Sequence, residues 1–363
     1  MNAVIKLRIM PNKINSVQNA SELQNIVGEP HDIIKAKVLN QLDRHCLTFL
    51  KQSPIVFFGY WHKGVSKILI LNGNSGFIKV LSYTEVYIPY HQEFSLIESA
   101  VADEFLPVAM YFWIPGIGET LRINGVVKWL VANKSNKLHG LHIAVEGAFL
   151  HCAKSILRSK LWKEKEYPDI KIDYDNNCTE WIGEDCKTFI KSSPFYCLHT
   201  QDDSKKTELS PRGDPPNTIY ILDKEHLLIP DRPGNKRVDS IHNLLRNPLL
   251  GILFLIPGID LILKINGRAR VISDAQLLQL LTVKKHIPKL GILVTVTQCR
   301  FRKTNSLNWQ KIWKQAIEVD KNQFPTLGQV LVEQATKSRS LVTKIKGKVV
   351  EEIIKRDYKK NLY

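Results

Sequence analysis

The chain has 363 residues, room for about two domains and a tail at roughly 150 residues per domain. Apolar residues make up 44% and charged residues 24%, which excludes a disordered chain, a collagen and a coiled-coil rod. Lys+Arg exceed Asp+Glu by 51 to 35, a net charge of +16 that favours anionic partners (phosphate groups, nucleic acid or a membrane surface) without choosing among them.

In chain order, residues 4–10 are apolar but interrupted by Lys6 and Arg8 and followed by Pro11, which does not fit a signal peptide. Residues 36–51 place Leu39, Leu42, Cys46 and Phe49 at helical spacing. Short β-rich runs follow at 55–60, 67–71, 77–81 and 86–89. Helical spacing returns at 95–105, and two further strands, 108–114 and 119–131, flank Pro115-Gly116. Much of this grammar then recurs. Residues 114–127 (IPGIGETLRINGVV) and 256–269 (IPGIDLILKINGRA) agree at eight of 14 positions, at an offset of 142. FLKQSP (49–54) matches FIKSSP (189–194), and Lys160-Leu161-Trp162 faces Lys311-Ile312-Trp313. The chain reads as a tandem duplication, with units at 18–168 and 178–318. Helical spacing at 238–246 belongs to the second unit. The apolar run 249–263 has 15 residues with Pro257, Gly258 and Asp260 inside it. A membrane span needs about 20 apolar residues, so this run reads as two buried strands and a turn.

Short strands with a few helices and no βαβ alternation predict a mainly β protein with helices (α+β), an antiparallel barrel rather than a Rossmann fold. No GxGxxG follows a strand and there is no GxxxxGK[ST]. The six cysteines form no CxxC and fit reduced thiols in a cytosol, with no metal site. We expect a soluble, cytoplasmic protein without a membrane partner. Residues 326–363 read as a basic helical tail: from 337 onward nine Lys/Arg face three acids. The tail packs on a barrel by its apolar stripe or docks an acidic partner. Interleaved aromatics are absent, which argues against nucleic acid.

The second unit carries SPRGDPP (210–216), a strand-like run at 219–222, and IPDRPGNKR (229–237). Arg212, Arg232, Lys236 and Arg237 thus lie on two segments joined by a short connection. Gly234 and Asn235 suit a tight turn, and Lys236-Arg237 open an amphipathic stretch whose N-terminus adds partial positive charge. This suits a phosphate. A solvated turn with ion pairs to Asp214 and Asp231 fits the same residues.

SPRGDPP, IPDRPGNKR, NLLRNP and PG…LKINGRARV, in this order, resemble the pyridoxamine 5′-phosphate oxidase-like flavoproteins, close to a bacterial subfamily described simply as FMN-binding. The first unit carries LDRHCLTFLKQSP (42–54), ETLRING (119–125) and HCAKSILRSKLW (151–162) of the same signature. The resemblance covers residues 18–330. It implies a dimerising split β-barrel with FMN in the dimer cleft, the phosphate gripped by one subunit and other groups supplied by its partner. A duplicated chain then holds two tandem split β-barrels forming an intramolecular pseudo-dimer, expected to be monomeric with a large apolar face between the units.

The halves have decayed in complementary ways. The first has Leu71 in place of Arg212 and IPYHQEFSL (88–96) in place of IPDRPGNKR. The second has FRKTNSLNWQ (301–310) opposite HCAKSILRSK. Each keeps what the other lacks, so one composite site forms. The reverse cleft, with no cation from the first unit, should be empty or filled by side chains. By resemblance, Arg212, Lys236 and Arg237 hold the phosphate, and Arg232 and Asn235 belong to the same turn. Ile229, Pro230 and Asp231 lie where family backbone approaches the flavin. Lys154, Arg158 and Trp162 form the opposite wall. His151 bonds flavin or substrate, or is structural; Trp162 has a counterpart in Trp313, which favours packing. Of the repeat mates Arg122 and Lys264, one faces the cleft.

The leading reading is an FMN-binding, flavin-dependent oxidoreductase acting on a small molecule of unreadable identity, with NAD(P)H as the electron donor to test. No catalytic residue is assigned, because the cofactor carries the chemistry. The alternatives are a non-catalytic flavin or phosphometabolite binder, a haem-binding or haem-degrading protein on the same barrel, and an interaction protein acting through its tail. A C-terminal Arg-x-His substrate motif is absent, which argues against vitamin B6 oxidation.

Overall fold

A computed structural model of the chain describes residues 14–35, 37–97, 105–132, 138–164 and 178–360, with single residues 100, 172 and 362. It contains two antiparallel sheets of matching topology. The first is built from β1 (Ile55–His62), β2 (Val65–Asn72), β3 (Lys79–Ser82), β4 (Glu85–Pro89), β5 (Leu106–Trp113), β6 (Thr120–Ala132) and β7 (Leu138–His151), in the order β2-β1-β5-β6-β7-β4-β3. The second is built from β9 (Phe195–Gln201), β10 (Thr207–Gly213), β11 (Tyr220–Ile221), β12 (His226–Asp231), β13 (Leu249–Leu255), β14 (Leu261–Ile272) and β15 (Leu290–Lys303), in the order β10-β9-β13-β14-β15-β12-β11. A two-residue strand, β8 (Cys178–Thr179), pairs with β15. Replacing each strand by its repeat mate turns one order into the other. The mainly β, two-barrel fold expected from the repeat is the fold observed.

The strands lack polar alternation because both faces are buried. Successive side chains of β1 point to opposite sides. Val56, Phe58 and Tyr60 enter the first barrel's own core, while Ile55 and Phe57 enter a third cluster shared by both units. That shared cluster joins Tyr111 and Trp113 of β5 to Phe195, Leu253 and Leu255 of the second unit and to Trp309, Ile312 and Trp313 of the helix Trp309–Glu318. Trp113 is fully buried, in edge contact with Phe57, Phe195 and Trp162. Burying one such side chain contributes about 1.5–3 kcal/mol, so this layer resembles a domain core divided between two halves. Polar ties cross it as well. His199 lies 2.7 Å from Ser66 Oγ and 2.8 Å from Thr207 Oγ1, and Ser66 donates its backbone N–H to Asn266 Oδ1 at 3.0 Å.

Several elements differ from their sequence reading. The helix read at 36–51 is Arg44–Gln52, preceded by the helices Ala20–Val27 and Asp32–Lys35. The Asp43 side chain caps it at the Cys46 amide, and Leu39 upstream bridges to Ala148. The strands β7 and β15, 14 residues each, have no counterpart in the sequence reading; β7 joins β6 to β4 and β15 joins β14 to β12. The helical reading at 95–105 falls largely on residues outside those described; its described part is a 3-10 turn, Gln92–Leu96. The tail is two helices, Leu327–Thr336 and Leu341–Lys360, separated at Lys337, whose φ of +50° is left-handed. They cross at glycines: a Cβ on Gly347 would lie 2.9 Å from Gln329 Cα. No described helix is long and apolar enough to cross a membrane.

Candidate functional site

Between the two units lies a cleft of about 390 Å³, within the size range of small-molecule pockets. One wall is the second unit's β10 and the segment running out of β12. Strand β10 carries Arg212, and β12 ends at Asp231, where its ladder with β15 stops at Leu290. The chain then turns through Arg232-Pro233-Gly234-Asn235. The Arg237 amide donates to Asn235 Oδ1 at 3.1 Å, an Asx-type turn. Lys236 (φ +62°) and Val238 (φ +42°) are both left-handed. For a β-branched residue this is a strained conformation, and such strain clusters at functional turns. The helix Asp239–Arg246 follows.

The other wall is the first unit's. The helix Lys154–Ser159 presents Lys154 and Arg158, both buried, and Arg158 Nη2 donates to the Pro233 carbonyl at 2.7 Å. The walls meet at Gly213, where a Cβ would sit 2.0 Å from the Ser155 carbonyl oxygen. No side chain fits between β10 and that helix. The floor comes from β6 and β7. Arg122 bridges Glu208 and, at 3.0 Å, Asp239. The Arg122 and Arg237 guanidiniums lie 4.1 and 4.8 Å from the Phe149 ring centroid, and the Lys37 amine lies at 4.9 Å.

The lining holds eight Lys or Arg against four Asp or Glu. Each acid is ion-paired: Asp231 with Arg212 (2.5 Å), Asp214 with Arg232 (2.8 Å), Glu208 with Arg122, and Asp239 with Arg122 and Arg237. Burial raises the Asp214 and Glu208 carboxyls, against the pull of their arginines. Burial also acts on Asp239, but Arg122 and Arg237 hold it below the usual carboxylate range. The His151 imidazole is pushed well down by burial and by Arg122, Lys37, Arg237 and Arg212, so it is neutral at physiological pH. Burial lowers Lys37 to about 8. Several buried polar atoms of lining residues have no hydrogen-bond partner among the described residues: Arg212 Nε, Arg232 Nη2, Ser155 Oγ, His151 Nε2, Arg122 Nε and Glu208 Oε2. Buried polar groups are ordinarily satisfied, so such a concentration in one cleft marks a place where something polar belongs.

Of the residues singled out from sequence, Arg212, Pro230, Asp231, Arg232, Asn235, Lys236, Arg237, His151, Lys154 and Arg158 all line this cleft. Ile229 and Trp162 do not. Ile229 points into the second barrel's core, and Trp162 donates Nε1–H to the Ile117 carbonyl at 2.7 Å. Trp309 does the same to Ile259 at 3.0 Å. Its hydrogen bond makes Trp309, rather than Trp313, the mate of Trp162, and the role is packing in both units. Both ion pairs of the solvated-turn reading form, but Asp214 and Arg232 are buried. Arg237 is held by Asp239, whose carboxylate also occupies the helix start. Arg122 is the member of the Arg122/Lys264 pair that faces this cleft. Sequence reasoning missed Glu208, Asp239, Phe149 and the segment from His286 to Leu290. Glu208 and Asp239 had a signal, two residues before SPRGDPP and two residues after IPDRPGNKR.

At the pseudo-symmetric place Lys264 is lowered to about 7 by burial and by the cations Arg302, Lys67 and Arg300. Glu93 crosses this place to pair with Arg302 at 2.7 Å. Leu71, the mate of Arg212, is buried in the first core.

Residues 182–303 match the family model described as pyridoxamine 5′-phosphate oxidase. Among solved structures, HupZ from Group A Streptococcus is 14% identical over 32% of this chain and 89% of its own, with a TM-score of 0.27. A protein of the pyridoxinephosphate oxidase family from Clostridium acetobutylicum is 10% identical over 32% of this chain and 84% of its own, with a TM-score of 0.25. An FMN-binding protein from Syntrophomonas wolfei is 11% identical over 32% of this chain and 79% of its own, with a TM-score of 0.23. No curated protein matches the chain in sequence.

Proposed function

Because residues 182–303 match the pyridoxamine 5′-phosphate oxidase family model, we propose that this chain binds one FMN in the cleft between its units and acts as a flavin-dependent oxidoreductase. The observation that carries this reading is the surplus of buried cations in that cleft, with polar atoms of Arg212, Arg232 and Ser155 left unpaired. These residues fit a phosphate. Arg212 Nε and Arg232 Nη2 are donors fixed in place by Asp231 and Asp214, and fixed guanidinium donors suit phosphate oxygens. Lys236 and Arg237 add charge from the strained turn. Arg158 and Lys154 close the cleft from the other unit. Phe149 offers an apolar ring, and His151, kept neutral, offers one nitrogen as donor or acceptor to the ring system. FMN, when bound, supplies the hydride or electron transfer, and the protein supplies position and electrostatics.

A second reading, a flavin binder without catalysis, is favoured by one observation. Each of the four carboxylates lining the cleft is held by an arginine, so none stands free as a general acid or base. The purified protein tests both. A flavin spectrum, FMN as the released small molecule by mass spectrometry and saturation near one equivalent support FMN binding. A Soret band or a colourless protein that ignores FMN overturns it. Oxidation of NAD(P)H by the flavin-loaded protein separates the catalyst from the binder.

A further inference from the structure

The end of the chain reaches the wall that the first unit gives to the cleft. Lys154 Nζ pairs with Asp357 Oδ2 at 2.8 Å. The Ala153 amide donates to the Tyr358 hydroxyl at 3.0 Å, and Arg158 Nε donates to the Leu362 carbonyl. Lys154 and Arg158 are 5% and 8% exposed, whereas the Asp357 side chain is 42% exposed. The helix Leu341–Lys360 is anchored upstream of these contacts, by the close Gly347–Gln329 approach and by the Gly328 amide donating to Glu351 Oε2 at 3.0 Å. Its last turn is held on the wall by polar contacts to the same cations that an anionic ligand needs.

We infer that the segment bearing Asp357, Tyr358 and Leu362 forms a strap that occupies Lys154 and Arg158 while the cleft is empty and is displaced when an anion enters. The inference rests on reading the cleft as an anion site. The exchange is favourable for the strap to leave because Asp357 sits near solvent and regains water on release, while the two buried cations receive a phosphate in place of a carboxylate and a carbonyl. The helix Lys154–Ser159 has no side-chain N-cap, so the Tyr358 hydroxyl is the partner of the amide that opens it. Release of the strap therefore exposes the Ala153 N–H to water.

Two full-length variants test this, Asp357→Asn and Tyr358→Phe, with FMN and inorganic pyrophosphate as probes at low ionic strength, where surface charge is least screened. Asp357→Asn should bind both about tenfold more tightly than the natural chain, and Tyr358→Phe should shift the same way by less. In the natural chain, hydrogen exchange at the Ala153 amide should speed up when either probe binds. Unchanged or weaker binding in Asp357→Asn, or an Ala153 amide that stays protected, shows the segment to be a fixed wall and overturns the strap. If pyrophosphate shows the full effect and FMN binds to neither protein, the strap stands and the flavin reading falls. If neither probe binds to either protein, both fall.

Discussion

Arg158 of the first unit donates its Nη2–H to the carbonyl of Pro233 in the second unit, 2.7 Å away. One buried guanidinium thus ties the helix of one repeat to the phosphate-type turn of the other, although 75 residues separate them in sequence. The burial that lowers Arg158 from its ordinary range, together with repulsion by Arg232 and Arg212, shows how near it stands to the other cleft cations.

Arg158→Ala should therefore weaken FMN binding by about tenfold or more, at about 1.4 kcal/mol per decade for one charge-assisted hydrogen bond. Lys311→Ala, on the exposed surface of the repeat-mate helix, should leave FMN affinity unchanged. Fluorescence titration of the two variants decides. Equal effects would mean that the cleft is not composite.

Arg212→Ala should cost about 10- to 150-fold in FMN affinity, from roughly 1.5–3 kcal/mol per charged hydrogen bond. Riboflavin, which lacks the phosphate, should respond little. Parallel titrations with both flavins check the assignment, since an equal loss for both places the phosphate elsewhere.

Gly213→Ala should destabilise the protein by about 1–3 kcal/mol, the usual range for overpacking. Its new Cβ would meet the Ser155 carbonyl oxygen at 2.0 Å, and a backbone atom cannot rotate away. Gly183→Ala is the control, with nothing within 4 Å of its Cβ. Thermal unfolding of the pair measures the difference, and a Gly213→Ala protein as stable as the control contradicts the close approach of the two units.

His199 supplies a pH signature. Burial lowers its imidazole from 6.5 to about 3 in the folded state. Above pH 6.5 it is neutral in both states and its contribution is fully present. As pH falls from 6.5 toward about 3, the unfolded chain takes up the proton first, so stability is lost at up to about 1.4 kcal/mol per pH unit. Denaturant unfolding at pH 7, 6, 5 and 4 should show this slope in the natural chain and a shallower one in His199→Gln. Identical slopes would show that His199 is not sealed between Ser66 and Thr207.

The duplication was legible in the sequence because it rests on matched strings such as IPGIGETLRINGVV and IPGIDLILKINGRA, and identity at a fixed offset needs no structure to be seen. The strands at 55–62, 65–72, 106–113 and 249–255 were legible within a few residues, because β-rich apolar runs end at turn residues. The second unit's cations were legible because Arg212 and the 229–237 segment lie close in sequence, but β10 and β12 stand far apart in the sheet order, so the fold and not a hairpin brings Arg212 to Asp231. Strands β7 and β15 were missed although Asn/Ser residues at 133–137 and Pro288 precede them, because their length is set by their pairing partners rather than by a local pattern. Nor was the partnership of Glu208, Asp239, Arg122 and Phe149 legible, which arises from three strands and a helix of two units. Residue types within one unit follow from local pattern. Which side chains meet across the interface depends on long-range packing of faces that look equally apolar in the sequence, and that packing alone decided that Arg122 faces the cleft, that Ile229 does not, and that Asp357 lies on Lys154.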